Sequence, residues 1–306
     1  MKIHGMCLIK NESDIIEQTL NAALSWCDHI YVFDNGSTDG TWEKVLQLAE
    51  LHEQIIPYNQ DDKPYSRDLV GEIFNHYRSN SNEGDWWCRL DADEFYIDDP
   101  RIFLAKIPAK FGMVYKASFE YYFTDKDLER YNQDPSLYSD SVPIEEKCRY
   151  YINNWSEPRF IRYQNNLEWA IGDGGWPSQA WNFPVYPVRI WLKHYQYRSP
   201  HQIQKRIDIR RQAILNKAGF LHEAQADWEK LVQNQSNMEF DFHKLDLENI
   251  PKNWQERVVT VDGLNYDTGD RKLVIREDLM PELPVLSKRN GDLFGNMKNM
   301  VLSYLK

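Results

Sequence analysis

The sequence predicts an α/β fold in which helices flank a mostly parallel sheet, and two observations support this. Over roughly the first 120 residues, short apolar runs typical of buried strands alternate with segments whose apolar residues recur at helical spacing. Polar loops follow three of these runs, at residues 10–14, 34–40 and 91–94. Ligands of open α/β sheets bind at the carboxyl ends of the strands, so we expect the three loops to form one site.

The predicted elements follow one another in a regular order. Asn11 is expected to cap the first helix, with Asp14 as its capping-box partner. Further helices are expected at residues 41–52, 66–79 and 98–107. Strands are expected at residues 2–9, 30–33, 54–57, 86–90, 111–123, 159–163 and 185–195.

The expected organisation is one α/β domain followed by an extension. Residues 1–198 form the domain, with its N-terminal half at about 1–125 and irregular segments typical of binding loops at about 124–180. Residues 199–306 form a helix-rich C-terminal extension. Within it, residues 291–305 predict a weakly amphipathic helix that packs on the body, with contact to a membrane surface as the alternative.

The composition argues against nucleic acid as a partner. The 306 residues include 36 Lys and Arg against 47 Asp and Glu, and the formal net charge of −11 repels a phosphate backbone. The four cysteines form no CxxC pair, so no zinc site is expected. No signal peptide is apparent, and no apolar run approaches the ~20 residues that span a bilayer. We therefore expect a cytoplasmic protein without a transmembrane segment, and contact with the inner membrane surface stays open.

Two of the polar loops have the composition of a phosphate and metal site. Asp91 and Asp93 follow an apolar strand, and carboxylates at this spacing can converge on one Mg²⁺ or Mn²⁺ ion that also binds phosphate. In the sequence DNGSTDG at 34–40, small residues allow tight turns and close approach to a ligand. The structural alternative is a simple turn, with Asp39 capping the next helix.

Taken together, these segments resemble the nucleotide-sugar-binding half of family 2 glycosyltransferases, which have the Rossmann-related GT-A fold. The matching segments are 10–16, VFDNGSTDGT at 32–41, Ser66-Arg67 at the start of a helix, and RLDADEF with its DxD motif at 89–95. The resemblance implies a hexosyltransferase-like enzyme that moves a sugar from a nucleotide-sugar donor with inversion. The acceptor, which is a glycan, a lipid-linked sugar or a protein, and the oligomeric state stay open.

The resemblance also implies roles for individual residues. Asp93 would be the main ligand of Mn²⁺ or Mg²⁺, His194 a further ligand, and Asp91 a third candidate. His194 ends a strand-like run about a hundred residues beyond the acidic turn, where a half-buried structural histidine is the alternative. The residues expected to contact the donor are Asn11, Glu12, Asp34, Asp39, Arg67, Asp91 and Arg198.

An inverting transferase needs a carboxylate that takes the proton from the acceptor hydroxyl. Asp173 is the first candidate because it lies in a glycine-rich loop beside Trp176, which could stack on a sugar. The structural alternative is a turn residue. Glu157 and Glu168 are the other candidates.

Two other functions remain open. A sugar nucleotidyltransferase also uses an α/β sheet and acidic metal ligands, but its glycine-rich phosphate loop has no counterpart at residues 10–14. A catalytically inactive nucleotide-sugar-binding protein of the same fold is the second alternative. Retention of Asp91, Asp93 and His194 argues against it.

Overall fold

The computed structural model describes residues 1–215, 250–280 and 282–283, which form a mixed α/β fold. Its strands are β1 (Ile3–Ile9), β2 (His29–Asp34), β3 (Ile55–Gln60), β4 (Trp86–Arg89), β5 (Glu94–Tyr96), β6 (Met113–Tyr122), β7 (Tyr150–Trp155), β8 (Pro158–Arg162), β9 (Ile190–His194) and β10 (Asn265–Tyr266). Its helices are α1 (Ile16–Ala23), α2 (Thr41–Leu51), α3 (Asp68–Tyr77), α4 (Pro100–Ala105), α5 (Asp125–Gln133), α6 (Ile144–Lys147) and α7 (Pro200–Leu215). The α/β prediction is confirmed.

The N-terminal half of the sheet is parallel. Its strands lie in the order β3-β2-β1-β4, and every pair in this half is parallel. β1 and β2 are almost fully buried because helices cover both faces of the sheet. Residues of β1 at alternating positions therefore pack in two different cores, with Ile3 and Cys7 on one face and Met6 on the other.

The strands beyond β4 change the character of the sheet. β8 runs antiparallel between β4 and the first residues of β6. The long β6 then continues into a second group of strands, where β7 pairs with it antiparallel and β9 pairs with it parallel. β5, which starts directly after the acidic turn, pairs antiparallel with β9. These pairings bring the end of β9 beside residues 91–94.

One local prediction is wrong. Asn11 does not cap α1, which begins at Ile16 and has no side-chain cap on its N-cap residue Ile15. Asn11 instead adopts a left-handed conformation with φ of 56°, and its amide oxygen accepts a hydrogen bond from the backbone of Thr38. The side-chain amide of Asn11 therefore joins the loops after β1 and β2 and does not cap the helix.

Within the predicted C-terminal extension, the structure describes residues 199–215, 250–280 and 282–283. α7 begins at Pro200, as the helical pattern after residue 199 predicts. The predicted amphipathic helix at 291–305 lies outside the described residues. No helix in the described part of the chain is long and apolar enough to cross a membrane.

Candidate functional site

The first two polar loops are joined by hydrogen bonds. The backbone N–H groups of Asn11 and Glu12 donate to the hydroxyls of Ser37 (2.8 Å) and Thr41 (2.9 Å). Gly36 has φ of +74°, and a Cβ at this position would lie 2.9 Å from the Cβ of Asp62, so the turn requires glycine. The loops after β1 and β2 therefore form one preorganised edge.

Asp34 and Asp39 lie at this edge in different environments. Asp34 is fully buried, and burial raises the pKa of its carboxyl although the backbone of Ser37 donates to it at 2.7 Å. Asp39 accepts hydrogen bonds from Lys205 (2.7 Å) and from the backbone N–H of Thr41 (3.1 Å). Burial opposes ionisation of Asp39, but these bonds outweigh it and lower the pKa to about 2. Asp39 thus also supports the start of α2.

The structure brings Asp93 and His194 together. Nε2 of His194 lies 3.3 Å from Oδ1 of Asp93, and Nδ1 of His194 lies 2.6 Å from Oε2 of Glu120. Burial disfavours the charged imidazole, but the two carboxylates outweigh it and raise the pKa of His194 to about 10. The pKa of Asp93 is held well below its usual range because the nearby His194, Arg206 and Arg198 outweigh the effect of its burial.

The Asp93–His194 pair fits a divalent cation that replaces the proton on Nε2 of His194, because a metal binds the neutral imidazole. Two ligand atoms that are each about 2.1 Å from one octahedral ion lie roughly 3 Å apart, and the separation in this pair is 3.3 Å. Glu120 lies on the other ring nitrogen. A carboxylate there fixes the ring so that Nε2 faces the metal, as in many metal sites that use histidine.

Asp91 belongs to a neighbouring acidic cluster. Asp91, Glu94 and Glu157 each place a carboxylate oxygen within 4.8 Å of the others, a spacing that could also hold a metal ion. However, the fully buried guanidinium of Arg159 contacts all three, at 2.6 Å from Asp91 and 3.0 Å from Glu157. Lys116, which is 1% exposed, adds a second cation to Glu94 and Glu157. The cluster therefore already holds two positive charges.

Arg198 lies beneath the site and is fully buried. Its guanidinium donates two hydrogen bonds to Asp14 (2.8 and 2.7 Å) and one to Glu12 (2.6 Å). A further bond reaches the carbonyl of Tyr195. The guanidinium ties the loop after β1 to the segment that follows β9, and its hydrogen-bonding groups are directed into the protein.

A small pocket opens beside Asp91. Arg67, at the start of α3, and Arg89, at the end of β4, line it together with Leu8 and Trp169. A Cβ at Gly175 would lie 3.2 Å from Nη1 of Arg89 and 3.7 Å from Nη1 of Arg67. The lack of a side chain at Gly175 therefore leaves room for the guanidinium of Arg89, whereas the distance to Arg67 is an ordinary contact.

The three candidate bases lie in different surroundings. Asp173 accepts hydrogen bonds from the backbone of Ala170 (2.9 Å) and Ser178 (3.1 Å), which is the arrangement of a turn residue. Glu168 is exposed and lies 3.8 Å from Arg78. Glu157 alone of the three belongs to the cluster around Asp91.

The aromatic ring beside Asp173 is not available for stacking on a sugar. Trp176 is fully buried, packs parallel to Trp169, and donates to the carbonyl of Pro158 at 3.3 Å. The tryptophan that the sequence suggested for stacking on a sugar therefore belongs to the core.

Sequence reasoning missed several charged residues of the site, namely Lys116, Glu120, Arg159, Lys205 and Arg206. Lys116 and Glu120 place two charges, with Ser118 between them, on one face of a strand whose other residues are apolar or aromatic. Buried charges require partners, so this pattern could have pointed to them. Lys205 and Arg206 lie on a helix that looks like an ordinary charged surface helix in the sequence.

Comparison with sequence profiles of protein families identifies one family. The sequence profile described as glycosyl transferase family 2 matches residues 8–173, which is more than half of the chain. No curated protein sequence matches the chain.

Three solved structures resemble parts of the chain. The mannosyltransferase PcManGT from Pyrobaculum calidifontis, in complex with GDP-Man and Mn²⁺, has a TM-score of 0.40 at 15% identity, over 69% of this chain and 61% of that one. S. aureus TarS 1–349 in complex with UDP has a TM-score of 0.27 at 18% identity, over 39% and 35%. A putative glucose-1-phosphate thymidylyltransferase from Bacillus anthracis, in complex with a sucrose, has a TM-score of 0.28 at 12% identity, over 41% and 56%. The chain spans less than two thirds of each, and these likenesses by themselves say nothing about its activity.

Proposed function

The chain belongs to glycosyl transferase family 2, and from this premise we propose that it is a metal-dependent enzyme that transfers a sugar from a nucleoside diphosphate sugar to an acceptor hydroxyl with inversion. The observation that carries the proposal is the pairing of Asp93 with His194 at the edge where the loops after β1 and β2 meet. This edge combines a place for a divalent cation with an acidic, preorganised loop for a nucleoside.

Each part of the donor has a proposed contact. The nucleoside lies against Asn11, Asp34 and Asp39, with Arg67 and Arg89 in the adjacent pocket. Asp93 and His194 hold Mn²⁺ or Mg²⁺, and Glu120 orients His194. When bound, the metal would neutralise the charge that develops on the leaving diphosphate. Asp91 is held by Arg159, so its role is to orient the donor rather than to bind the metal.

Glu157 is the proposed base. It lies in the cluster around Asp91, is one quarter exposed, and has a pKa held well below its usual range by Arg159 and Lys116 against the effect of burial. The carboxylate is therefore ionised at neutral pH and can accept a proton, although its basicity is reduced. Asp173, whose carboxylate already accepts two backbone hydrogen bonds, is the alternative.

Thermal unfolding with a panel of nucleoside diphosphates and nucleotide-sugars, each with and without Mn²⁺, tests the proposal. A ligand that binds only the folded state stabilises it by about 2.7 kcal/mol at 100 times its Kd. We expect a shift that requires Mn²⁺ with one nucleotide, and its loss in Asp93→Asn. Glu50→Gln, on the exposed side of α2, is the control that should keep the shift.

Three other outcomes would change the conclusion. No shift with any nucleotide, in the presence or absence of metal, would contradict nucleotide-sugar binding. A shift without turnover on any acceptor would favour the inactive binding protein of the same fold. Formation of a nucleotide-sugar from a nucleoside triphosphate and a sugar phosphate would favour a nucleotidyltransferase.

A further inference from the structure

Helix α7 places two adjacent cationic residues on the acidic edge of the site. Nζ of Lys205 lies 2.7 Å from Oδ2 of Asp39, and Nη1 of Arg206 lies 3.7 Å from Oδ2 of Asp93. Asp39 follows β2 and Asp93 follows β4, so the two contacts reach different ends of the edge. The helix thus reaches both Asp39, which we propose to contact the nucleoside, and Asp93, which we propose to bind the metal.

The two cations are held in place but keep access to the site. The guanidinium of Arg206 lies 5.4 Å from the ring centroid of Tyr197 and is within 3.4 Å of the amide oxygen of Gln196. Its side chain is 16% exposed, and that of Lys205 is 28% exposed. Ile203 and Ile207, on either side in the sequence, are buried in the core and fix the rotation of the helix. The orientation of both cations therefore follows from the packing of α7.

We propose that Lys205 and Arg206 bind the diphosphate of the donor, an inference that rests on the proposed function. In the proposed donor complex the diphosphate lies between the nucleoside, near Asp39, and the metal, near Asp93. Helix α7 contacts both of these carboxylates. Without a ligand each cation neutralises the carboxylate at its own end. The diphosphate offers oxygens to the same two cations, and charge-assisted hydrogen bonds to phosphate, like those to carboxylates, are among the stronger ones in proteins.

Arg198, which was expected to contact the donor, is less suited to binding the diphosphate. Its side chain is fully buried, and its guanidinium donates to Asp14, Glu12 and the carbonyl of Tyr195. Binding a diphosphate would require it to leave these partners. Among the described residues, the carboxylate contact of Arg206 is the 3.7 Å approach to Asp93, so within this part of the chain the guanidinium can turn toward phosphate without breaking a short ion pair.

Calorimetric titration of the full chain, in the presence of Mn²⁺, with the nucleoside diphosphate that gives the shift in the thermal unfolding panel and with the matching nucleoside tests this assignment. Lys205→Gln and Arg206→Gln should each weaken binding of the diphosphate by roughly tenfold or more, since a lost hydrogen bond to a charged group is worth about that much. Binding of the nucleoside should stay within about twofold of the unmodified chain, because the phosphate contact is absent from it. Lys205→Arg keeps the charge and should retain most of the diphosphate affinity.

Lys110→Gln is the matched control. Lys110 is an exposed lysine that precedes β6, whose opposite end lies near His194. This variant should bind diphosphate and nucleoside as the unmodified chain does. If Lys205→Gln and Arg206→Gln weaken nucleoside and diphosphate equally, or weaken neither, the diphosphate assignment is wrong while the proposed function stands. If the unmodified chain binds no nucleotide, the proposed function and this assignment both fail.

Discussion

Glu120 and His194 face each other across the β6–β9 pair, with Oε2 of Glu120 2.6 Å from Nδ1 of His194. Glu120 is 1% exposed, so this contact is sheltered from water. The imidazole has only two nitrogens, and turning Nδ1 away would cost the buried carboxylate of Glu120 its 2.6 Å contact, since Nε2 of Gln196 donates to it only at 3.5 Å. Its other nitrogen therefore stays directed at Asp93.

The first prediction is that Glu120→Gln weakens metal binding although Glu120 itself need not touch the metal. An amide holds the ring less firmly and supplies no negative charge, and loss of such a partner typically costs about 10-fold to 100-fold in metal affinity. The Kd for Mn²⁺, measured from the paramagnetic resonance of the free ion, should rise accordingly. Glu129→Gln, an exposed glutamate on α5, should leave it unchanged. An unaltered Kd in Glu120→Gln would contradict the orienting role.

The second prediction separates the two candidate bases. Glu157→Gln should lower kcat by about 10²-fold to 10⁴-fold, because general base catalysis contributes that much. Asp173→Asn should change kcat by a smaller factor and should lower the melting temperature, because it disturbs two backbone hydrogen bonds. Steady-state kinetics and thermal unfolding of both variants provide the comparison. The reverse ranking of kcat would assign the base to Asp173.

The third prediction concerns the cation within the acidic cluster. Arg159→Leu leaves Asp91, Glu94 and Glu157 without their shared guanidinium, and breaking a buried ion pair costs about 3–5 kcal/mol. Chemical denaturation should show a loss of this order in the free energy of unfolding. Because the three carboxylates have the spacing of a metal site, millimolar Ca²⁺ should restore part of the loss.

Lys126→Leu, which removes an exposed cation on α5, is the control for this measurement and should give no measurable change. A stable Arg159→Leu variant would mean that the carboxylates accept protons or water at little cost. Loss of stability with no response to Ca²⁺ would contradict the prediction that the three carboxylates can bind a metal.

The fourth prediction is a pH dependence of stability that comes from Asp39. Its pKa in the folded state, about 2, lies below its ordinary value of 3.8. The resulting stabilisation is present above pH 4 and is lost as the pH falls from about 4 to 2. Asp39→Asn should therefore show a shallower decline of unfolding free energy over that interval, measured by urea denaturation at several pH values. Equal slopes for both proteins would contradict the prediction.

The parallel half of the fold was predictable because its pattern is local. β1, β2 and β4 are short apolar runs between helical repeats, and each is recognisable within about ten residues. β5 escaped prediction because it is three residues long and begins within the acidic turn. Its existence depends on pairing with β9, about a hundred residues further along the chain.

The residues of the site likewise divide into some that the sequence predicts and some that it does not. Asp93 and His194 were predicted together from the family resemblance, and the structure places them in contact. The partners of the acidic residues were not predicted, because Arg159 is 65 residues from Glu94 and Lys205 is 166 residues from Asp39. Contacts over such distances in sequence depend on the tertiary fold, which local patterns do not encode.

The register of β9 makes the site sensitive to chain length in one place and tolerant in another. His194 stands opposite Glu94 in β5 and Glu120 in β6. One residue inserted within β9 would turn the histidine to the opposite side of the sheet, because side chains alternate along a strand. In the connection from 163 to 189, Trp169 and Trp176 are buried in the core, but the exposed residues 164–166 can absorb added residues with less effect. Related chains that keep this chemistry should therefore vary in length before β9 and match closely within it.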